Sequence, residues 1–470
     1  MEWFSVDKEG LAKLMERRGT AFAVLELLSN SWDSGANRVE ITLDNTVMPR
    51  RRAMLRVVDN SADGFQNLSH AWTLFAESGK KGEAEKRGRF NLGEKLVLAI
   101  MDEASVHSTT GGVVFNKDGR HAIAERRDSG SRFSGIIRMT KAQVRQVGEE
   151  MRKLLPPATI KTTYNGAEIK PRSPLHTVTA SLPTEISDEK GDLRRSERVT
   201  EVWCYPLEGG EKAMIYEMGI PVCEHDCAYH TDVQQKVPLT LDRDAVKPSF
   251  LAKLRTAVFN ATHENLSTEE VNHEWAQTAV ESPDATPEAV QDYVTKRFGE
   301  RRVSYDMNDR EANNKAVAEG YTLVKGGMLS GQAWKQVKAH EAIVPAGQLF
   351  PTKPEGDRPY EPAELTDGMR EVVEYAKKFA RVVVGIDIAV QVGEQQSREL
   401  ADYGGRRLQF NARNLGASWF NMESNRVAID DLIIHELGHE YSGNHLSEDY
   451  YHALTRIGAK AMAATREGRL

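Results

Sequence analysis

The stretch from Ala21 to Gly35, AFAVLELLSNSWDSG, combines apolar residues with a regular set of polar ones. A helix there places Glu26, Asn30 and Asp33 on one face, because spacings of four and three residues keep them within an arc of about 60°. The apolar residues between them then pack the sides of the helix against a core. We therefore expect an acid, an amide and a second acid in one row, an arrangement that suits a metal ion and a water molecule.

Length, charge and cysteine content narrow the class of protein. The 470 residues exceed what one core usually holds, so we expect about three domains. The formal charge of −7 gives no overall attraction to nucleic acid, so association with DNA is left open but is not indicated by charge. Three cysteines are too few for a disulfide framework, and the sequence contains neither a signal-peptide pattern nor a long apolar run. We predict a cytoplasmic protein with no transmembrane segment.

Two further stretches place glycines next to polar residues at the ends of apolar runs. The run Met54 to Val58 ends in Asp59, and a turn containing Gly64 follows. A carboxylate in that position can accept a hydrogen bond from a ligand amine, although a plain strand-to-loop turn gives the same pattern. The stretch from Gly88 to Lys95, GRFNLGEK, precedes a helical run. Glycines there free backbone N–H groups for a phosphate, and a turn without a ligand is the alternative.

Alternating apolar and polar residues with tight turns predict antiparallel strands over much of residues 1–156. The predicted strands are Arg38–Leu43, Met54–Val58, Ala104–Thr110, Gly112–Phe115, Ala122–Arg126 and Gly135–Thr140. Helices would cover one face of such a sheet, so we expect an αβ layer architecture.

Together, ELLSNSWD, VVDN with a downstream glycine, and GRFNLGEK occur in the order found in the GHKL superfamily of ATPases, which this region resembles. Members of that superfamily include the B subunit of DNA gyrase, MutL, MORC proteins, the large heat-shock chaperone and histidine kinases. The resemblance implies a Bergerat-type ATP-binding fold. It further implies that Glu26 polarises the attacking water, that Asn30 holds Mg²⁺ and Asp33 supports the site, and that Asp59 receives the adenine amino group.

The resemblance also assigns the phosphate-binding part of the site. Gly64 belongs to the second motif, and the stretch from Gly88 to Lys95, with Gly93 inside it, would wrap the triphosphate under a lid made of residues 66–87. Ser61 stands where the family has a glycine. Because of such departures, the sequence implies nucleotide binding more strongly than fast turnover.

Residues 157–262 have an αβ pattern, and VQQKVPLTLDRDAV resembles the transducer-type domain of GHKL proteins. In that domain a basic residue reaches the γ-phosphate, for which Arg243 is the first candidate and Lys236 the second. An ordinary surface cation is the alternative for both. The cluster Cys223-Glu-His-Asp-Cys227 with His230 does not have the spacing of a common two-knuckle zinc site, so we expect structural cysteines there.

Helical patterns and a proline-rich linker fill residues 263–357, and a new domain is predicted over residues 358–470. It contains AIDDLIIHELGHEYSG, in which His435 and His439 are one helical turn apart and Glu436 lies beside the first. The helix should end near Gly443, so that His445 returns toward the other two imidazoles. Ser447 is predicted to cap a following helix.

The segment HELGHEYSGNH resembles zincin metallopeptidases, most closely the SprT-type proteases. The resemblance implies that His435, His439 and His445 bind Zn²⁺, with Glu436 as general base. The run Arg381 to Gln391 would be the edge strand that aligns a peptide. Two alternatives remain: a helix with satisfied histidines, and a metal site without peptidase activity.

The sequence therefore predicts an α+β protein. Its four parts would be a Bergerat-type ATP-binding αβ sandwich (1–156), a transducer-like domain (157–262), a helical region and linker (263–357) and a zincin-like domain (358–470). ATP would control a zinc-dependent peptidase acting on a protein or peptide, and the relatives imply a homodimer that closes with ATP. The alternative is an ATP-driven dimeric clamp, chaperone or scaffold, as in MutL, MORC or phage rIIA-like proteins, with a non-proteolytic zinc-binding domain.

Overall fold

The chain forms two compact units, Met1–Thr286 and Pro287–Leu470, in the computed structural model. The structure describes residues 7–16, 19, 21–46, 48, 51–65, 67–73, 84–87, 93–187, 193–239, 245–350, 358–445 and 447–470. The predicted site residues Gly88 and Arg243 lie outside these ranges, as do residues 74–83 of the predicted lid. The finer division into four parts stays a prediction.

An eight-stranded sheet forms the first part of the first unit. Its strands are β1 (Arg38–Asp44), β2 (Ala53–Asp59), β3 (Met101–Ser108), β4 (Gly111–Asn116), β5 (Gly119–Ile123), β6 (Arg132–Ile137), β7 (Lys161–Tyr164) and β8 (Ala167–Ile169). Their order is β5-β4-β3-β6-β2-β1-β7-β8, and only the β1–β7 pair is parallel. The six predicted strands correspond to β1 to β6. Strand β5 begins before the predicted Ala122, because Asn116 already pairs with Gly119 across the turn.

Helices that pack on this sheet bring the sequence motifs together. They are α1 (Lys8–Glu16), α2 (Phe22–Trp32), α3 (Gly93–Ala99) and α4 (Lys141–Arg152). Val24 and Leu28 of α2 are fully buried, in one core with Ile41 of β1 and Leu55 of β2. Helix α2 also packs against α3, so the elements that carry the three motifs adjoin.

A five-stranded sheet forms the second part of the first unit. Its strands are β9 (His176–Ser187), β10 (Leu193–Pro206), β11 (Met214–Glu217), β12 (Ile220–Glu224) and β13 (Tyr229–Val233), in the order β12-β11-β13-β10-β9. Helix α5 (Pro248–Thr262) packs on β9, and α6 (Glu274–Val280) packs on α5. The turn between β11 and β12 requires glycine at position 219, where φ is +87° and a Cβ would lie 2.1 Å from the carbonyl oxygen of Leu155.

The second unit combines helices with two small sheets. The helices are α7 (Pro287–Phe298), α8 (Arg310–Ala318), α9 (Gly331–Ala339), α10 (Ala346–Leu349), α11 (Asp367–Phe379), α12 (Ala412–Leu415), α13 (Met422–Gly438) and α14 (Glu448–Arg466). The strands are β14 (Arg302–Ser304), β15 (Thr322–Val324), β16 (Arg358–Pro359), β17 (Ala389–Glu394), β18 (Ala401–Gly404) and β19 (Arg407–Asn411). Strands β14 and β15 pair in parallel, and the other four have the order β16-β17-β19-β18. Strand β18 is thus an edge of that sheet.

The predicted strand from Arg381 to Gln391 is wrong over most of its length. Residues Ala380–Val384 form a π-helical turn that extends α11, and Gly385, with φ of +87°, ends it. Phe379 and Val383 are buried in the same core as the apolar face of α11. A run of valines favours a strand locally, but burial at helical spacing on α11 overrides that preference. The strand β17 begins only at Ala389.

The fold is α+β, as the sequence predicts. Across the described ranges, no helix combines the length and the apolar character needed to cross a membrane.

Candidate functional site

The polar row predicted in the first unit lies on α2 and just after it. Glu26 and Asn30 are half-buried and one helical turn apart on α2, which ends at Trp32. Asp33 is the residue that follows the last helical position, and it keeps helical backbone angles. The row therefore continues beyond the end of the helix.

Asp33 is held by Arg87. Its two carboxylate oxygens accept hydrogen bonds from the Arg87 backbone N–H, at 2.8 Å, and from the Arg87 guanidinium, at 2.7 Å. The Arg87 Nε also donates to the carbonyl oxygen of Met218 at 3.0 Å. The side chains of Asp33 and Arg87 are 2% and 11% exposed. Asp33 therefore joins α2 to residues 84–87 and to the β11–β12 turn, which gives it a structural part in the site.

Asp59 lies at the end of β2 and is buried. Its Oδ1 accepts hydrogen bonds from the backbone N–H and the hydroxyl of Ser61, at 3.0 and 2.6 Å. A carboxylate has about four acceptor positions, so bonds to Ser61 leave capacity for a ligand amine. The residue that departs from the family pattern thus serves to orient this carboxylate.

The glycine predicted in the second motif is required by close packing. Gly64 has φ of +60°, and a Cβ there would lie 2.6 Å from the Ser108 hydroxyl oxygen and 2.7 Å from the Gly130 carbonyl oxygen. Only glycine fits this position without displacing its neighbours. The turn after β2 is thereby fixed close to β3.

The predicted phosphate-binding residues that the structure describes are at or near buried positions. Gly93 begins α3, and Lys95 in its first turn is 6% exposed. Lys236 is 1% exposed, and its backbone N–H donates to the carbonyl oxygen of Ala84 at 2.8 Å. The reading of Lys236 as an ordinary surface cation is wrong. A buried ammonium is stable only beside groups that compensate its charge.

Three imidazoles converge in the second unit. His435 is on α13, His439 follows its last residue, and His445 lies in the turn before α14. One ring nitrogen from each can be chosen so that all three atoms lie within 4.8 Å of one another. The Nε2 atoms of His435 and His445 are 3.2 Å apart. Two nitrogens bound to one tetrahedral zinc, each about 2.0–2.1 Å from the ion, are about 3.3 Å apart.

Hydrogen bonds to the other ring nitrogens fix the tautomers that a metal requires. The Nδ1 of His439 is 3.2 Å from the carbonyl oxygen of Ser442, which can only accept a hydrogen bond. The Tyr450 hydroxyl donates to the backbone carbonyl of His435 at 3.0 Å and is also 3.0 Å from Nδ1 of that residue. In His439 the proton is therefore on Nδ1, and Nε2 is left with a free lone pair; the same tautomer of His435 would donate from Nδ1 to the Tyr450 oxygen. Burial lowers the pKa of His435 and of His439, which favours the neutral ligand form.

Glu436 follows the first of these histidines and is 6% exposed. Burial is the main reason that its pKa rises to about 8, and the nearby carboxylates of Asp402 and Glu399 raise it further. A carboxyl group with a pKa near neutrality can take up and release a proton under ordinary conditions.

Helix α13 is shorter than predicted, and α14 (Glu448–Arg466) is longer than the predicted Tyr450 to Met462 but has the predicted cap. The helix ends at Gly438 rather than near Gly443, because the chain leaves the helical path through turns after His439. His439 keeps helical backbone angles, so it stays on the same face as His435. The Ser447 hydroxyl accepts a hydrogen bond from the Tyr450 N–H at 3.1 Å, which confirms the predicted cap.

The cysteine and histidine cluster of the first unit has structural contacts. Cys204 and Cys227 are buried, and burial raises the pKa of each thiol to about 12. The imidazole of His230 accepts from the Met214 N–H and is 2.9 Å from Glu211. Both ring nitrogens of His230 are thus occupied by protein groups.

Two residues of these sites have no clear signal in the sequence. Arg87 belongs to a basic run that composition assigns to a solvated loop, yet it is nearly buried. Tyr450 is predicted only as part of a helix. Its position beside His435 depends on Gly438, where a Cβ would lie 2.8 Å from the Tyr450 ring. In the sequence, the only sign of this close approach of α14 to α13 was the glycine in HELGHE.

No protein-family model matches the chain, and no curated protein matches it. Among solved structures, it is similar to the ATPase and transducer domains of DNA topoisomerase II from Balamuthia mandrillaris, with 12% identity, a TM-score of 0.30, and coverage of 43% of this chain and 60% of that one. The ATPase region of Saccharomyces cerevisiae topoisomerase II gives 10% identity, a TM-score of 0.28 and coverage of 42% and 60%. The same region bound to ICRF-187 (dexrazoxane) gives 10% identity, a TM-score of 0.27, and coverage of 43% of this chain and 62% of that one. The chain thus spans less than two thirds of each neighbour.

Proposed function

We propose that the second unit is a zinc-dependent peptidase whose activity is controlled by ATP bound to the first unit. The observation that carries the peptidase part is the convergence of three imidazoles beside a buried carboxyl group on the same helix. The donor set fits zinc, because the nitrogen spacing and the Nδ1 hydrogen bonds suit a tetrahedral site with one remaining position.

His435, His439 and His445 would hold the metal. Bound zinc would supply Lewis-acid polarisation of the substrate carbonyl and of water. Glu436 would take the proton of the attacking water and pass it to the leaving amine, because it is buried beside His435 on the same helix. The strand β18 is at the edge of its sheet and packs against α13, and backbone groups at a sheet edge can form hydrogen bonds with an extended peptide. These features favour a peptide bond as substrate.

The first unit would bind ATP with Mg²⁺ through the elements that carry the three motifs. Support comes from the packing of α2 against α3 and β2, which places Glu26 and Asn30 on an element adjoining those of Lys95 and Asp59. Glu26 would orient water, and Asn30 would hold Mg²⁺. Gly88, Arg243 and Lys236 would contact phosphates, as the family resemblance implies.

ATP control and a homodimer extend the proposal. In this scheme ATP closes the first units of two chains, and the closed state alters cleavage by the second unit. The test uses the full chain as wild type, Glu26→Ala and Glu436→Ala. Glu149→Ala and Glu423→Ala serve as controls, since both residues are exposed and lie on α4 and α13.

Zinc content, ATP hydrolysis, and cleavage of casein and of protein–DNA crosslinks are measured for each variant. We expect Glu436→Ala to retain zinc and to lose cleavage by about 10²–10⁴-fold, with ATP hydrolysis unchanged. Glu26→Ala should abolish ATP hydrolysis and alter the cleavage rate. If the protein binds stoichiometric zinc but cleaves none of the substrates, the peptidase proposal fails and the alternative of an ATP-driven scaffold with a non-proteolytic zinc site is favoured. A protein that binds neither ATP nor zinc would exclude both.

A further inference from the structure

A cleft of about 200 Å³ in the second unit is lined by His439, one member of the histidine triad. Its lining includes His439 and the turn that follows it, the end of β18, helix α9 and residues 304–308. The last two elements precede residue 358, where the sequence places the start of the peptidase-like domain. The wall of the cleft is therefore built from residues that the sequence assigned to a linker region.

Hydrogen bonds and close packing fix residues 304–308 in this position. The Asn308 side-chain amide donates to the carbonyl oxygen of Tyr403 on β18 at 2.8 Å. The Asn308 backbone N–H donates to Oδ1 of the buried Asp306 at 3.0 Å. A Cβ at Gly443 would lie 3.0 Å from the sulfur of Met307. The segment thus contacts both the edge strand and the turn that carries the triad.

Most of the charged groups in the cleft are paired with each other. The Arg406 guanidinium is 2.9 Å from Glu341 and 3.7 Å from Glu440. The Tyr403 hydroxyl donates to the other oxygen of Glu440 at 2.6 Å. Lys338 is the remaining cation among the lining residues, and it is exposed. The paired groups offer little attraction to a charged ligand.

Apolar side chains form about half of the accessible surface of the cleft, and polar groups form the rest. Met307 is 66% exposed and Tyr305 is 44% exposed, although large apolar side chains are normally covered. Trp334 of α9 is half-buried in the same lining. Exposed apolar side chains grouped at one concave site indicate a binding surface, and methionine adapts its shape to different ligands.

We propose that this cleft binds one apolar side chain of the polypeptide substrate, next to the bond that is cleaved at the triad. The volume supports a single side chain, because sites for whole small molecules usually begin at about 300 Å³. Met307 and Trp334 are the specificity-determining residues. The proposal rests on the peptidase function proposed above, and it adds the class of substrate: a chain with a leucine, methionine or phenylalanine beside the scissile bond.

The test compares cleavage of Gly/Ser-rich peptides that carry one leucine, one aspartate or one lysine. Zinc-loaded full-length wild type is compared with Met307→Glu, and Met462→Glu is the matched control because Met462 is 59% exposed on α14 outside the cleft. We expect wild type to prefer the leucine peptide by about 10–200-fold in kcat/KM, the usual range for a hydrophobic pocket. Met307→Glu should lose this preference and favour lysine, and Met462→Glu should behave as wild type. Cleavage by wild type without preference, or an unchanged preference in Met307→Glu, would overturn the inference.

Binding separates this inference from the proposed catalysis. Fluorescence anisotropy of the same peptides is measured with zinc-loaded Glu436→Gln, and with Glu436→Gln combined with Met307→Glu. Tighter binding of the leucine peptide, lost in the double variant, supports the cleft even if wild type cleaves nothing, and in that case only the peptidase proposal fails. Equal binding of the leucine and aspartate peptides by Glu436→Gln would overturn the inference whatever the result of the cleavage assay.

Discussion

The orientation of the imidazoles is decided by single hydrogen bonds to atoms outside the triad. For His435 the partner is Tyr450, whose hydroxyl oxygen is 3.0 Å from both Nδ1 and the carbonyl oxygen of that residue. Such partners usually raise the affinity of a metal site, because they hold the ligand in one tautomer and one orientation.

Replacing Tyr450 by phenylalanine should weaken zinc binding by about 10–100-fold, since the ring stays in place but Nδ1 of His435 loses its partner. Competition with a chelator measures the change in Kd. Tyr451→Phe is the control, because Tyr451 is 70% exposed and on the same helix. Equal zinc affinity of Tyr450→Phe and wild type would show that Tyr450 only packs against α13.

A second residue with an unusual environment is Asp232 in the first unit. Burial raises its pKa to about 7 from 3.8, although the Gly219 N–H, the Gln234 amide and the charge of Arg87 oppose the shift. The neighbouring carboxylate of Glu217 adds to the shift, and the phenols of Tyr205 and Tyr216 also face Asp232. The folded state therefore binds a proton on Asp232 more tightly than the unfolded state does.

The raised pKa of Asp232 predicts how the free energy of unfolding depends on pH. The stabilisation from the proton on Asp232 is fully present below pH 3.8 and is lost as pH rises to about 7, by at most about 4 kcal/mol at about 1.36 kcal/mol per pKa unit. Asp232→Asn removes this dependence. Urea unfolding at pH 4.5 and pH 7.5 should therefore show Asp232→Asn gaining stability relative to wild type at the higher pH. If the difference in unfolding free energy between wild type and Asp232→Asn were the same at pH 4.5 and pH 7.5, the raised pKa of Asp232 would be contradicted.

At the scale of secondary-structure elements, Arg87 joins three parts of the first unit. It binds Asp33 at the end of α2 and Met218 at the turn between β11 and β12, and its guanidinium is 5.1 Å from the centre of the Trp32 ring. Helix α2 and the second sheet of the first unit are thus connected through one nearly buried cation. A buried pair of this kind is costly to break, because the remaining charge loses its oppositely charged partner.

Arg87→Met should lower the free energy of unfolding by about 3–5 kcal/mol, since the buried Asp33 loses its ion pair with Arg87. Lys212→Met is the control, and it should cost less than about 1 kcal/mol because the Lys212–Glu224 pair is exposed. Denaturant unfolding measures both. Combining Arg87→Met with Asp33→Asn should recover part of the loss, and a double variant less stable than Arg87→Met would argue against a dominant ion pair.

For the whole molecule, the chain divides into two compact units at residue 287, and the predicted boundary at residue 358 lies within the second unit. Contacts that cross residue 358 hold the second unit together. The Asn308 amide bonds to Tyr403, and Arg406 pairs with Glu341. A domain beginning at residue 358 would lose the Asn308 amide at the Tyr403 carbonyl and would leave Glu440 as the ion-pair partner of Arg406.

A chain of residues 287–470 should therefore fold, bind one zinc and show the side-chain preference of the full protein. A chain of residues 358–470 should lose that preference and melt about 5 °C lower, as expected for about 2 kcal/mol of lost contacts in a domain of this size. Thermal unfolding followed by circular dichroism tests this at equal zinc concentration, because bound zinc raises Tm. Equal Tm and equal preference in the two chains would support the boundary at 358.

The local sequence patterns predicted much of the fold and part of each site. The spacing of His435 and His439, followed by glycine and His445, was enough to predict the triad, because residues four apart share a helix face. The alternation of apolar and polar residues located β1 to β6, because successive side chains of a strand point to opposite faces of the sheet. The valine run at residues 381–384 failed as a strand signal, because it is buried at helical spacing on α11.

What the sequence by itself determined was the identity and local spacing of the chemical groups: the row from Glu26 to Asp33, and the histidines with Glu436. These follow from backbone geometry within a few residues. Only the tertiary structure decided which distant residues support them. Arg87 reaches Asp33 across 54 positions, Tyr450 reaches His435 across 15, and Asn308 reaches Tyr403 across 95. Those contacts depend on how helices and sheets pack, which periodicity in a short segment does not record.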